Sequence, residues 1–330
     1  MQYRQLGRTG LMVSPLAVGT MNFGDVADEA ESGRILDRAI SAGLNFIDTA
    51  DVYGSPQRPD LAMGSGLSEE IIGRWLKSRG ARNQVVLATK CYQPMGLGPN
   101  DRRLSAYHIR SAVEASLRRL GTDRIDLLQM HHMDRLTPID EILEALSRLI
   151  ADGKVLYVGS CNFAAWYLAA FQSSALARHM LGLASEQTRY NLTVRTPELE
   201  LLPACRHFGL GFLPYSPLAG GLLAGGLSAA DQKSGATRRS RLGEAFEKKR
   251  TQVAAYEALA QASGFAPATL AIAWLLSNPV VTAPIVGPRT VAQLEGALAA
   301  LDVKLSKDVL TALDEIWPGP GGEAPEAYAW

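Results

Sequence analysis

Short apolar runs of four to six residues recur along the chain. Each is followed by a few small or polar residues and then by a longer stretch whose apolar positions repeat every three to four residues. The runs at 16–19, 44–47, 85–89, 125–130, 155–159, 183–186, 210–214 and 281–286 are rich in Val, Ile and Leu, as suits strands buried on both faces. The stretches at 28–42, 68–78, 105–120, 138–151, 164–177, 197–207, 243–262, 267–276 and 291–301 read as amphipathic helices. Ser105 predicts an N-cap for the third helix. Thr137 as cap, with Pro138 in the first helical position, predicts the start of the fourth. About eight strand–helix units is the number that closes a parallel barrel inside a ring of helices, an α/β fold of the (β/α)8 TIM-barrel type. A doubly wound sheet shares the alternation, but no Gly-x-Gly-x-x-Gly follows the first run, which favours the barrel. Residues 3–6 and 12–13, around a turn at 7–10, predict a β-hairpin plugging the barrel bottom. No linker interrupts the pattern, so 1–330 reads as one domain, its last helix ended by the Pro/Gly-rich 318–322 and followed by a loose tail.

Composition narrows the class of function. Apolar residues make up 47% and charged residues 20% of the 330, enough for a large core. Lys plus Arg equals Asp plus Glu at 33 each, so the basic footprint of a nucleic-acid binder is missing. Cys91, Cys161 and Cys205 are odd in number and widely spaced, which predicts reduced thiols rather than a disulfide framework. The N-terminus has no apolar signal core and no run is long enough to span a membrane, so the expected location is the cytoplasm.

In such a barrel the active site lies at the carboxyl ends of the strands. The polar residues just past the runs are Asp48, Lys90, His131, Ser160 with Asn162, Gln187, and Tyr215 with Ser216. One rim would therefore gather an acid, an amine, an imidazole and several amides. Tyr53 follows Asp48 by five residues, in the loop. A phenol titrates near about 10, too high for easy proton transfer at neutral pH, and a neighbouring ammonium lowers that value. Lys90 supplies the ammonium and Asp48 holds it charged, so the expectation is a general acid tuned toward the working pH. His131 would bond the substrate oxygen or share the proton. His131-His132-Met133-Asp134 invites a metal reading, with Asp48 as a further ligand. Adjacent strand residues point to opposite sides, and no His-x-His or His-Glu-x-x-His spacing occurs, so no metal is expected. His132 then reads as a pocket or packing residue.

The same residues carry a family resemblance over nearly the whole chain. Phe46-Ile47-Asp48-Thr49-Ala50 with Tyr53-Gly54, Leu87-Ala88-Thr89-Lys90, Asp126-Leu127-Leu128-Gln129-Met130-His131, Gly159-Ser160-Cys161-Asn162-Phe163, Ser185-Glu186-Gln187 with Tyr190-Asn191, and Tyr215-Ser216-Pro217-Leu218 resemble the aldo-keto reductases. The resemblance implies an oxidoreductase that reduces a carbonyl with a nicotinamide cofactor, typically NADPH, with NAD as the other possibility. It implies Tyr53 as acid, Lys90 and Asp48 as its tuning pair, and His131 as partner of the substrate oxygen. Asn162 and Gln187 would bond the nicotinamide carboxamide and Tyr215 would stack on the ring. Ser216, Leu218 and Gly220 would line the pyrophosphate; Gly287 and Gln293 would border the adenosine phosphate. Gly19, Thr20, Met21, Asp48, Ser160, Cys161, Pro217, Leu222 and Arg289 complete the implied cofactor set. The chain departs from the family pattern at Cys161, where Ser is usual, and at Gly296 and Ala297, where Glu and Asn usually hold the adenine. Gly225-Gly226 also lacks the lysine that often follows.

Within the family, residues 19–24, 48–54 and 130–135 are similar to a bacterial branch that includes reductases of nucleotide-linked keto-hexoses and general aldehyde reductases. The expected substrate is thus a small carbonyl compound, with a sugar nucleotide as one version. Arg102 and Arg103 could meet a phosphorylated substrate or be solvated loop charges. Residues 55–66 and 219–242 are expected to wall the pocket as lids or binding loops. The competing reading is a slowly turning, cofactor-sensing binding subunit built on the same fold.

Overall fold

A computed structural model of the chain describes residues 1–56, 61–227 and 242–329. Eight parallel strands run in sequence order around one sheet: β3 (Ala17–Gly19), β4 (Phe46–Asp48), β5 (Val86–Cys91), β6 (Ile125–Met130), β7 (Val155–Cys161), β8 (Leu183–Arg189), β9 (Gly211–Tyr215) and β10 (Ile285–Val286). β10 pairs back onto β3, and a parallel bridge between Phe212 and Val281 brings the last gap together, giving the (β/α)8 barrel the alternation predicts. Between the first strands lie α1 (Glu29–Ser41), α2 (Leu67–Arg79), α3 (Ala106–Leu120), α4 (Ile139–Ala151), α5 (Ala165–Ala177) and α6 (Leu201–Phe208). Arg250–Ala262, Pro267–Ser277, Val291–Leu298 and Lys307–Ile316 complete the outer layer.

Local chemistry sets the helix starts. Asp28, Ser105, Thr290 and Ser306 each accept a hydrogen bond from a backbone N–H three residues on, satisfying a donor that a helix start leaves unpaired. Thr137 does not cap α4 as expected. Its hydroxyl donates to Asp134 Oδ2 at 2.8 Å, and Pro138, with ψ of 138°, sits outside the helix. The stretch predicted at 243–262 is two pieces, Glu244–Glu247 and Arg250–Ala262. The tail is not loose. Trp317 is buried, Ala324 N–H donates to Leu199 O at 2.9 Å, and Glu323 pairs with Arg206.

The barrel interior is graded along its axis. Successive strand residues alternate faces, so each strand contributes an inward column. Phe46 is followed two residues on by Asp48, Ala88 by Lys90, Leu127 by Gln129, Gly159 by Cys161, Ser185 by Gln187 and Leu213 by Tyr215. Ala17, Phe46, Val86, Ala88, Leu127, Ala184, Leu213, Ala283 and Ile285 form the apolar lower layers. The polar members occupy the carboxyl end. The hairpin β1 (Arg4–Gln5) and β2 (Met12–Val13) adds Leu6 and Val13, both fully buried, to that lower cluster. Burial of that kind stabilises by about 2 kcal/mol per side chain. Arg8 N–H donates to Gly209 O at 2.7 Å, and Arg4 reaches the carbonyls of Val281 and Thr282. The hairpin therefore closes the amino end, as expected.

Gly7 marks how tightly it is seated. Its φ is +58°, and a Cβ there would lie 2.6 Å from Gly209 O and Gly211 N and 2.7 Å from Ala184 O, all backbone atoms that cannot swing aside. Gly7→Ala is expected to lower unfolding free energy by about 1–3 kcal/mol, read as a lower denaturant midpoint; an unchanged midpoint would show that the plug does not seat as described.

Candidate active site

Four of the inward columns meet in one hydrogen-bonded cluster. Lys90 Nζ donates to Asp48 Oδ1 at 2.5 Å and to Thr49 O at 2.8 Å, with the amine fully buried. The other carboxylate oxygen, Asp48 Oδ2, accepts from Gln129 Nε2 and Gln187 Nε2, both at 2.8 Å. Gln187 Nε2 also donates to Gln129 Oε1 at 2.9 Å. Strands β4, β5, β6 and β8 are thus tied across the barrel through one carboxylate. A third donor of Lys90 points at Tyr53, whose Oη lies 3.5 Å from Nζ and whose ring centroid lies 5.0 Å away. Tyr53 is brought over the barrel by a loop whose foot is fixed: Thr49 N–H donates to Ala88 O, and Thr49, Ser68 and Thr20 share a buried hydroxyl network.

The electrostatics differ from the expectation in one respect. Burial works against the Lys90 ammonium, but Asp48, with the phenol and the Cys161 thiol, outweighs it and holds Lys90 above the ordinary lysine range. The ammonium is therefore permanent at neutral pH. For Tyr53, however, burial outweighs the ammonium and pushes the phenol up to about 12, with Asp48 adding to the rise. The lowering expected from Lys90 is present as an opposing influence and does not win. The phenol is fully protonated at neutral pH, with the Lys90 ammonium beside it.

His131 sits edge-on to Tyr53 with ring centroids 5.8 Å apart. Burial, then the Lys90 charge and His132, push its imidazole well below the usual histidine range, so it is neutral; its Nδ1 is buried without a partner. A neutral imidazole can bond a substrate oxygen but does not bring a spare proton. His132 stacks on His131 at 5.4 Å with rings 15° from parallel, which corrects the expectation that the two point to opposite sides. Strand alternation does not apply, because β6 ends at Met130. Among the described residues no group of three or more potential ligands could hold a metal ion.

The residues implied for a cofactor divide into those at the rim and those turned away. Asn162, with φ of +57°, accepts from Tyr215 Oη at 2.9 Å and donates to His131 O and Cys161 Sγ. Cys161 lies close enough to Lys90 and Asp48 to feel both charges, and burial first of all keeps its thiol protonated. Ser216 is held at φ +54° by Asn191 Nδ2, which donates to its carbonyl at 2.9 Å; Ala219 and Gly220 also take positive φ. Pro217 and Leu218 sit in the same loop after β9. Gly287, Arg289 and Gln293 gather where Val291–Leu298 begins, with Arg289 N–H donating to Gln293 Oε1 at 2.9 Å and Asn22 Nδ2 to Gly287 O. Gly19 presents bare backbone against Ile285, and Met21 is exposed. Three side chains do not face the rim. The Ser160 hydroxyl bonds Glu186 and Ser185 O, Thr20 bonds Asp48 O, and Leu222 is buried in the outer apolar core. The expected lids at 55–66 and 219–242 lie partly outside the described residues, at 57–60 and 228–241.

Residues 15–318 match the Aldo/keto reductase family. The chain belongs to that family. It is 49% identical, over the whole of both chains, to a Bacillus subtilis protein called uncharacterized oxidoreductase YrpG. It is 34% identical to versiconal hemiacetal acetate reductase of Aspergillus parasiticus, over 96% of each chain. It is also 33% identical to a probable voltage-gated potassium channel subunit beta of Arabidopsis thaliana, over 99% of this chain and 100% of that one. The family works as oxidoreductases on small carbonyl compounds with a nicotinamide cofactor. The residues present fit that group: an amide-rich rim, an unpartnered buried imidazole nitrogen and an aromatic ring in Tyr215 frame the barrel mouth. Among the described residues no single helix is long and apolar enough to cross a membrane.

Two members of this site were not singled out from the sequence. Gln129, fully buried, links Asp48 to Gln187; the signal was an amide two residues before His131, near the carboxyl end of a strand whose other polar residue, Asp126, lies at its start. Gly159 makes room for it, since a Cβ there would sit 2.6 Å from Ser185 Oγ and 3.2 Å from Gln129 Cγ. Glu186 is the other. Its carboxyl accepts from Ser160 Oγ and from Phe163 N–H, fixing the bend that presents Asn162. Burial pushes it up to about 8, against those two hydrogen bonds. An acid whose folded value is raised binds more protons folded than unfolded, so stability falls as pH rises through the window from about 4.5 to about 8. The Glu186→Gln variant is expected to flatten that fall, by on the order of a few kcal/mol between the ends of the window. Denaturant midpoints of both proteins across the range test it, and parallel curves would contradict it.

Proposed function

We propose that the chain reduces an aldehyde or ketone with NADPH, as one barrel domain working in the cytoplasm, and that Tyr53 is the proton donor. The observation that carries this is the buried Lys90 ammonium, fixed by Asp48 and aimed at Tyr53 Oη from 3.5 Å. A bound nicotinamide cofactor supplies the hydride to the carbonyl carbon. The chain does the rest. Tyr53 Oη gives its proton to the substrate oxygen as negative charge develops there, and the O–H electron pair remains on the phenol oxygen as phenolate. The Lys90 ammonium offsets that charge, and burial makes the offset stronger than it would be in water. The neutral His131 bonds the substrate oxygen and fixes its approach. Asn162 and Gln187 would hold the carboxamide, Tyr215 the ring, the 216–220 loop the pyrophosphate, and Arg289 with Gln293 the adenosine phosphate. A cation at a helix start after the last barrel strand supports NADPH over NADH, because it would meet the additional phosphate.

A nucleotide-linked keto-deoxyhexose is the narrower version of the substrate. The second reading, a cofactor-sensing subunit that turns over slowly, draws support from the potassium-channel subunit relative. Purified protein incubated with NADPH or NADH and a panel of simple aldehydes, ketones and a dTDP-linked keto-hexose separates these. NADPH consumption with a carbonyl compound, faster than with NADH, is expected. Turnover of simple aldehydes alone removes the sugar nucleotide. No turnover on any carbonyl, with a stoichiometric partner in pull-downs, transfers the case to the binding subunit.

A further inference from the structure

Arginines at the helix interfaces are paired: Arg82 with Asp126, Arg119 with Glu69, Arg195 with Glu198. Among the described residues, the two at the barrel mouth whose charges reach Tyr92 are not. Arg135 lines a cavity of about 640 Å3 together with Tyr92, Gln93, His132, Asn162 and Thr188. Arg103 stands on the loop bonded to the same wall, its N–H donating to Tyr92 O at 2.6 Å while its φ is held at +69°, a conformation unfavourable to a side chain of that kind. The acids nearby are already committed. Asp134 is buried and accepts from Leu104 N–H, Leu136 N–H and Thr137 Oγ1; Asp101 accepts from Gly98 N–H. Among the described residues neither arginine has a carboxylate partner. Both guanidinium charges nevertheless act on the Tyr92 phenol, offsetting part of the rise that burial and Asp134 impose on it.

The cavity is connected to the chemistry by a wall of rings. Tyr53 meets His131 at 5.8 Å, His131 meets His132 at 5.4 Å, and His132 meets Tyr92 at 5.3 Å. Asn162, at the inner end, is the residue bonded to Tyr215. We infer that this pocket takes carbonyl substrates carrying an anionic group, carboxylate or phosphate, set several bonds from the reacting carbon, with Arg135 and Arg103 as its specificity-determining cations. A flat or extended spacer would lie along the ring wall. The anion would meet guanidinium donors that no internal acid competes for. An α-keto acid carries its carboxylate on the reacting carbon itself and cannot reach past even one ring-to-ring step of this wall, so short keto acids are poor substrates on this account. The inference rests on the carbonyl-reduction reading above for its location, and adds the charge of the substrate.

Matched pairs test it. With NADPH, 4-carboxybenzaldehyde is compared with methyl 4-formylbenzoate, and erythrose 4-phosphate with erythrose; the first pair reads a carboxylate and the second a phosphate. The anion is expected to be preferred about tenfold in kcat/KM, chiefly through KM, in one pair or both, with the gap shrinking as salt is added. Arg135→Gln, and more fully Arg103→Gln combined with it, is expected to remove the preference while leaving the neutral members unchanged. Calorimetric binding of 4-(hydroxymethyl)benzoate against its methyl ester reads the same preference without turnover. Equal kcat/KM and equal binding for charged and neutral members, or an equal loss for both in Arg135→Gln, overturns the inference. Preferential binding of the anion with no reduction of any aldehyde upholds it and overturns the carbonyl-reduction reading instead.

Discussion

An ammonium held in the interior of a barrel is the constraint around which this protein is arranged. A lysine stripped of water costs several kcal/mol unless its charge is met closely and its protons are all used. Here Asp48 meets the charge, Thr49 O accepts a second N–H, and the third points at the Tyr53 oxygen, the proton donor in the proposed reaction. Asp48 in turn would be a costly buried anion were its second oxygen not satisfied by two amides, Gln129 and Gln187. Remove one member and the others are left uncompensated. The cluster is therefore a fixed object that sets where a substrate oxygen must come.

That object exists because of the grading of the inward columns. Every strand of the cluster carries an apolar or small residue toward the amino end and a polar one at the carboxyl end. The lower layers exclude water beneath the charges, and the hairpin seals them with Leu6 and Val13. The same exclusion raises Tyr53 to about 12 instead of lowering it. In the proposed reaction the site would thus keep its proton until a developing oxyanion takes it, which suits a donor for reduction better than a half-ionised phenol would.

The strands and their order could be read from the sequence because parallel barrel strands are continuous apolar runs with a polar residue where each run stops; Asp48, Lys90 and His131 were legible for that reason. Gln129 was not, since a lone amide inside a run gives no periodic signal, and only the cross-barrel contact with Asp48 reveals it. Ser160 was expected at the cofactor but bonds Glu186: it lies between Gly159 and Cys161, which face the barrel interior, so its own side chain turns to the opposite face of β7. The stacked pair His131–His132 was misread for a related reason, strand logic applied one residue past the strand. The sign of the Tyr53 shift was out of reach as well: neighbouring charges can be named from a motif, whereas desolvation depends on everything packed around the group.

The most direct test of the account removes one oxygen. In Tyr53→Phe, cofactor affinity measured by protein fluorescence is predicted to stay within about twofold, while the single-turnover rate of carbonyl reduction drops about a hundredfold to ten-thousandfold. A variant that binds cofactor normally and reduces its substrate at the full rate would contradict the assignment of the proton to this phenol, and with it the purpose given to the buried lysine.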